Sequence, residues 1–226
     1  MLKFYFNGSP NPAKVALFLE ESGLPYEIVP VDVRKGEQFN PKLVALNPNA
    51  KVPIIVDGDV CVFDSNAILL YLAEKTGRFL PADNPVARGE LLSWLMFVAT
   101  GIGPYSGQAV HFRHFAPDAQ EYGNERYQYE ARRHYGILDS RLSTQAFLVG
   151  DTFTIADMAA WGWVRVVPFV MGEDAWSALP HLQRWFDSIN ARPAAVRTNA
   201  LKDNFQFKAE NDAETRGHMF RHVRTG

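Results

Sequence analysis

Apolar and polar positions alternate over residues 2–6, LKFYF, which predicts a strand. From about Pro12 to Ser22 the spacing becomes helical. Val15, Phe18, Leu19 and Ser22 share one stripe, and Gly23 suits the position just past a helix end. YEIVPVDV (26–33) predicts a second strand, with Pro30 favouring a sheet edge. FNPKLVALNP (39–48) predicts a short helix closed by Pro48. VPIIVDGDVCVF (52–63) predicts two strands around Asp57-Gly58, a type I′ hairpin signal. DSNAILLYLAEKTG (64–77) predicts a helix with a capped start and Gly77 at its end.

The order is β-α-β-α-β-β-α within the first 77 residues. Two strands joined by a helix, then a hairpin, then a covering helix describe a mixed α/β sheet. GRFLPADNP (77–85) is turn-rich and predicts a linker. Beyond it no strand pattern recurs. Helices are predicted over 86–114, 118–143, 154–170 and 178–191. The third opens with Thr154 and Asp157, an Asp variant of the capping box, with Phe153 and Met158 placed as a staple. The tail from Asn204 is polar and aperiodic, so it is expected to be poorly ordered or draped on the surface. The expected domains are 1–80 and 86–226.

Composition narrows the class. Apolar residues make up 47% and charged residues 21%, which suits a folded globular chain. A net charge of −2 gives no electrostatic case for nucleic acid or an acidic membrane. The apolar run ADMAAWGWVRVVPFVMG is broken by Arg165 and Pro168 and does not predict a membrane span. A single cysteine, Cys61, excludes internal disulfides and cysteine-rich metal sites. With no signal-like N-terminus, a cytoplasmic protein is expected.

The candidate chemistry begins with FNGSPN. One Ser or Asn caps a helix, yet Asn7, Ser9 and Asn11 all precede the first apolar face. Ser9-Pro10-Asn11 stands where the first strand hands over to the first helix, the ligand edge of such a sheet. A helix N-terminus there offers N–H donors and partial positive charge, which favour a thiolate. Other motifs fail. In TGIGPYSG (100–107) the third glycine of a dinucleotide loop is displaced, a proline intrudes and no strand precedes. His111 and His114 lack a third metal ligand, so no metal is expected. Tyr5 lies mid-strand, and Cys61 sits in a hairpin strand rather than at a helix start.

NPNAKVPIIVD (47–57), FDSNAILLYLAE (63–74) and FTIADMAAW (153–161) resemble strings of the cytosolic glutathione transferases over roughly residues 1–200. GSPN followed by KVALFLEE, with KGEQFNPK (35–42), is most similar to the bacterial Nu-class group. That group carries Thr/Ser-Pro-Asn where other classes use a catalytic Tyr, Ser or Cys. Here Ser9 replaces the commoner Thr and keeps the hydroxyl. The resemblance implies a thioredoxin-like, glutathione-binding N-terminal domain and an all-α C-terminal domain holding the second-substrate pocket.

It also implies roles. Ser9 and Asn11 stabilise the thiolate of glutathione, the co-substrate. A cis Val52-Pro53 peptide presents the Val52 backbone to the glutathione cysteine. Asp64 and Ser65 hold the γ-glutamyl ammonium and carboxylate, Gln38 and Lys51 meet the glycine end, and Arg133 reaches in from the helical domain. Trp94, Phe97, Tyr105, Phe112 and Phe115 are candidates for the second-substrate pocket. The implied activity is glutathione-dependent reduction of small disulfides, with weaker conjugation or peroxidase activity, in a homodimer that binds glutathione or its disulfide. Alternatives are specialised conjugation, such as thiolytic ether cleavage or dehalogenation, and a non-catalytic glutathione-binding protein.

Overall fold

Leu2, Phe4 and Phe6 share one face of β1 (Leu2–Phe6) and are buried, as strand alternation requires. Tyr5, on the opposite face, packs against a cluster of Val31, Leu43 and Ile54. The computed structural model describes residues 1–116, 118 and 120–221. It divides into two compact units, Met1–Ile68 together with the chain from Pro193, and Leu69–Arg192.

The first unit holds a four-stranded sheet in the order β2-β1-β3-β4, with β2 at Tyr26–Pro30, β3 at Ile54–Asp57 and β4 at Val60–Phe63. β1 and β2 are parallel, and the other two pairings are antiparallel. This is the thioredoxin-like mixed sheet, and Pro30 does lie on an edge strand. β2 stops three residues before the expected end. Asp32 turns the chain there, its carboxylate accepting from Arg34 N at 3.0 Å while its own N–H donates to Glu37 Oε2 at 2.7 Å. The hairpin loop is Gly58-Asp59, one residue later than expected. Only Gly58 has a positive φ, 62°, so the turn is of II′ rather than I′ character, which needs two such residues.

α1 (Pro10–Ser22) is buried from Pro12 through Leu19, far beyond one stripe. The reason is α10 (Pro193–Ala200), a helix not foreseen from the pattern, which packs on the side of α1 expected to face water. Arg197 Nη2 of α10 donates to the Glu20 carbonyl at 3.0 Å. The expected 39–48 helix is a 3₁₀ turn, Glu37–Phe39, followed by α2 (Pro41–Leu46), which Asn40 caps. α3 spans Ser65–Thr76.

The second unit is helical. The stretch expected as one helix over 86–114 is α4 (Pro85–Phe97), a π turn at Val98–Ile102 and α5 (Gly103–His114). Gly101 serves packing: a Cβ there would lie 2.6 Å from the His134 ring. α6 is Glu121–Leu142; residue 119, within the range predicted for it, lies outside the described residues. The expected 154–170 helix breaks into α7 (Ile155–Val164) and α8 (Val167–Met171), because Pro168 has no N–H to continue the first. α9 (Pro180–Asn190) lacks a cap of its own, and Asp139 Oδ1 of α6 accepts from His181 N and Leu182 N at 2.8 Å.

The capping box of α7 is formed, with Thr154 N donating to Asp157 Oδ2 at 2.9 Å. Asp157 Oδ1 also accepts from Leu148 N and Trp185 Nε1, both at 3.0 Å. Burial pushes this carboxyl up to about 6 against the pull of those three donors and of the Thr154 hydroxyl, which donates to Oδ2 at 3.3 Å.

The tail is draped rather than loose. Lys208 N donates to Asp32 Oδ2 at 2.7 Å, and Arg34 donates to the carbonyls of Lys208 and Ala209. α11 (Ala213–Met219) follows, capped by Asp212, with Thr215 fully buried. Residues 222–226, part of the tail prediction, lie outside the described residues.

Candidate functional site

The sheet brings four loops to one end. Phe6 ends β1 and pairs with Pro30, which ends the parallel β2. β3 runs the other way, so its first residue, Ile54, pairs with Tyr5. Phe63 ends β4 opposite Ile54. The segments after β1, after β2, before β3 and after β4 therefore emerge together. They carry Ser9 and Asn11, Gln38, Lys51 to Pro53, and Asp64 and Ser65, so the first-unit candidates share one edge.

Ser9 is not a side-chain cap of α1. Its hydroxyl donates to Asn7 Oδ1 at 2.6 Å, and its N–H donates to the same oxygen at 3.1 Å. Asn7 is buried, so it is the organiser of the turn. Pro10 begins the helix, and its fixed φ suits that first position. Asn11, half-buried, is in the first turn.

Val52-Pro53 is cis. Asn47 holds the loop before it, donating from Nδ2 to the Lys51 carbonyl at 2.8 Å and accepting from Asn49 N at 3.0 Å. Lys51 itself is exposed. Asp64 has a φ of 72°, and its Oδ1 accepts from Asn66 N at 2.9 Å and Ala67 N at 3.2 Å, capping α3. Ser65 is buried and accepts from Lys14 Nζ at 3.2 Å. Lys14 is 1% exposed, and burial lowers its ammonium to about 7 against the pull of Asp64. Gln38 is buried. Its Nε2 donates to the His218 carbonyl at 3.5 Å, while its Oε1 has no hydrogen-bond partner. An acceptor in that state favours an incoming N–H.

In the second unit a ladder of rings runs through the remaining candidates. Trp94 meets Phe97 at 5.6 Å, and Phe97 meets His134 at 5.3 Å. Tyr105 stacks on His134 at 4.9 Å and meets Tyr127 at 6.2 Å, and Phe112 stacks on Tyr127 at 5.2 Å. Phe115 has a ring contact with His114. Arg133 donates to Glu130 Oε2 at 2.9 Å and lies 3.2 Å from His134 Nε2. The Arg133 bond, helped by Arg126, holds the Glu130 carboxyl below its usual range.

Lys14 and His134 carry no motif of their own, and Asn7 stands within FNGSPN with nothing to mark its part as the acceptor for Ser9. Lys14 stands four residues before Phe18 on α1, and nothing local marks its partner Ser65, 51 positions along the chain. Cys61 is exposed on β4, and the burial it does have pushes its thiol up, away from the thiolate. Among the described residues, no cluster of His, Cys, Asp or Glu could hold a metal, and no helix is long and apolar enough to cross a membrane.

The glutathione S-transferase N-terminal domain model matches residues 1–74, and the C-terminal domain model matches residues 97–193. The chain is 41% identical over 201 residues to the disulfide-bond oxidoreductase YfcG of Escherichia coli, covering 86% of this chain and 92% of that protein. A glutathione transferase from Burkholderia graminis, solved with two glutathione molecules per subunit, is 38% identical with a TM-score of 0.84, covering 90% of this chain and 89% of that one. One from Pseudomonas putida, solved with one glutathione disulfide per subunit, is 34% identical with a TM-score of 0.81, covering 88% and 91%.

Proposed function

This chain belongs to the glutathione S-transferase family, and we propose that it reduces small disulfides with glutathione as the nucleophile. The reading rests above all on the edge where a polar helix start, a cis-proline loop and the Asp64-Ser65 turn meet in a protein with one cysteine. A protein without a cysteine pair has no internal dithiol to oxidise. The one cysteine, Cys61, is held towards its thiol form by burial, so the attacking thiolate comes from the co-substrate.

Glutathione lies at this edge, with its thiol over Ser9 and Asn11 at the start of α1. The Val52 backbone meets the cysteine of glutathione, Asp64 and Ser65 hold its γ-glutamyl end, and Gln38 and Lys51 meet its glycine end. The unpartnered Gln38 oxygen supports this, since glutathione brings an N–H there. The helix start and side-chain donors lower the thiol pKa, and the thiolate attacks one sulfur of the disulfide. The S–S bond breaks, and the departing thiolate takes a proton. A second glutathione then attacks the mixed disulfide, giving glutathione disulfide and a second thiol. Two glutathiones are oxidised as one disulfide is reduced.

The Ser-Pro-Asn turn supports placement in the Nu-class group. Residues 1–80 form the glutathione-binding domain. The helices of the second unit, Leu69–Arg192, carry Trp94, Tyr105, Phe112 and Phe115 for the second substrate. The active form is a cytoplasmic homodimer. Steady-state turnover of hydroxyethyl disulfide with glutathione tests the reading. Turnover saturating in both substrates is the expected result. Glutathione binding with no turnover of this or other small disulfides would leave a binding protein, and efficient turnover of an ether or halide alone would leave a conjugating enzyme.

A further inference from the structure

Lys14 is a charged side chain that packing does not explain. It is 1% exposed on α1, and a methionine would fill the space without the cost of desolvating an ammonium. The ammonium has three donors, and Ser65 Oγ accepts one, at 3.2 Å. It makes no ion pair with a described residue. The charge that acts on it is Asp64, whose Oδ1 already accepts from Asn66 N and Ala67 N. A second unpaired group lies on the same turn: Asn66 is buried, and its Oδ1 has no hydrogen-bond partner. A buried cationic donor beside Ser65, with carboxylate and amide acceptors on either side, is complementary to the carboxylate and ammonium of an α-amino acid head.

We propose that Lys14 is the positioning residue for the γ-glutamyl carboxylate of glutathione: by donating to Ser65 Oγ it turns the hydroxyl proton outward, onto that carboxylate, and sets a buried positive charge behind it. This rests on glutathione occupying the edge as proposed above. Ser65 touches the ligand, and Lys14 acts through Ser65. The lysine is then suited to the bound state, where an anion arrives to face it. Burial lowers the ammonium in the unliganded protein, and the incoming carboxylate raises it again, so binding takes up a proton. Asp64 is the charged group facing Lys14, and Ser65 does not titrate.

The test uses two ligands on the full chain, both without a titrating thiol. One is S-methylglutathione. The other is its analogue with a 4-aminobutanoyl group in place of γ-glutamyl, which keeps the amine and lacks the carboxylate. Calorimetry on Lys14→Met should show S-methylglutathione weakened by roughly ten- to hundred-fold, the scale of a hydrogen bond to a charged group, and the analogue unchanged. A folded Lys14→Met that keeps wild-type affinity, or weakens both ligands equally, overturns the proposal. A second measurement needs no variant. At about pH 8, above the lowered lysine value, the wild type should take up protons with S-methylglutathione and not with the analogue, read from buffers of different ionisation enthalpy. Equal uptake with the two ligands overturns the role of Lys14 while leaving glutathione at the site. A wild type that binds neither ligand overturns the glutathione reading itself.

Discussion

At the residue scale the site turns on where protons already point. The Ser9 hydroxyl donates to Asn7 Oδ1, so it must rotate before it can serve a sulfur. Asn11 carries two N–H donors on its amide. Removing an irreplaceable donor to an anion costs about 10²–10³ in rate, and much less where others back it up. Asn11→Ala should therefore lose kcat/KM on this scale with glutathione and a disulfide, and Ser9→Ala should lose less. Unchanged activity in Asn11→Ala would show that Asn11 does not stabilise the thiolate. Lys14 makes a separate prediction about stability. Its folded value of about 7 lies below the ordinary 10.5, so the unfolded chain binds the extra proton between them and stability rises with pH across that window. Lys14→Met should stabilise the unliganded protein by a few kcal/mol near pH 6, with the gain fading towards pH 10. A gain equal at the two pH values in thermal melts would show that Lys14 carries no buried charge.

At the element scale the tail is the informative part. Asp32 accepts from both Lys208 N and Arg34 N, fixing the tail to the turn after β2. Asp32→Ala leaves those donors unpaired and should cost about 1–3 kcal/mol. Limited proteolysis should then cut sooner near residue 208, and a melt that shifts while the cleavage rate stays at wild type would mean that Asp32 does not hold the tail. The sequence pattern made β1, α1, the hairpin, α3 and the α7 capping box readable, because each has local signals in its own residues. It missed α10, whose buried face is Ala194, Ala195 and Thr198, too small and mixed to register as an apolar stripe. Lys14 was hidden separately, because its partner Ser65 lies 51 positions along the chain. The break between α7 and α8 was signalled by Pro168, yet the apolar run around it outweighed the proline. The Ser9-to-Asn7 bond was hidden for another reason: side chains two residues apart can bond or not in the same sequence, and geometry decides.

At the scale of the whole molecule, association and chemistry are the remaining predictions. Light scattering at micromolar concentration should give twice the 25.5 kDa chain mass, since most homo-oligomers are two-fold dimers, and the monomer mass would contradict a homodimer. As proposed, this fold activates a thiol it does not itself carry. Cys61 is the chain's one cysteine, so in Cys61→Ser glutathione supplies the only thiol in the sample. Disulfide reduction should survive that substitution. Ultraviolet difference titration of glutathione on Cys61→Ser then reads the thiolate directly. The bound thiol should titrate one or more units below the free value of about 8.5, and adding Asn11→Ala should move it back towards that value. A bound thiol that titrates as it does in water, or a Cys61→Ser protein that is folded, binds glutathione and reduces no disulfide, would contradict it.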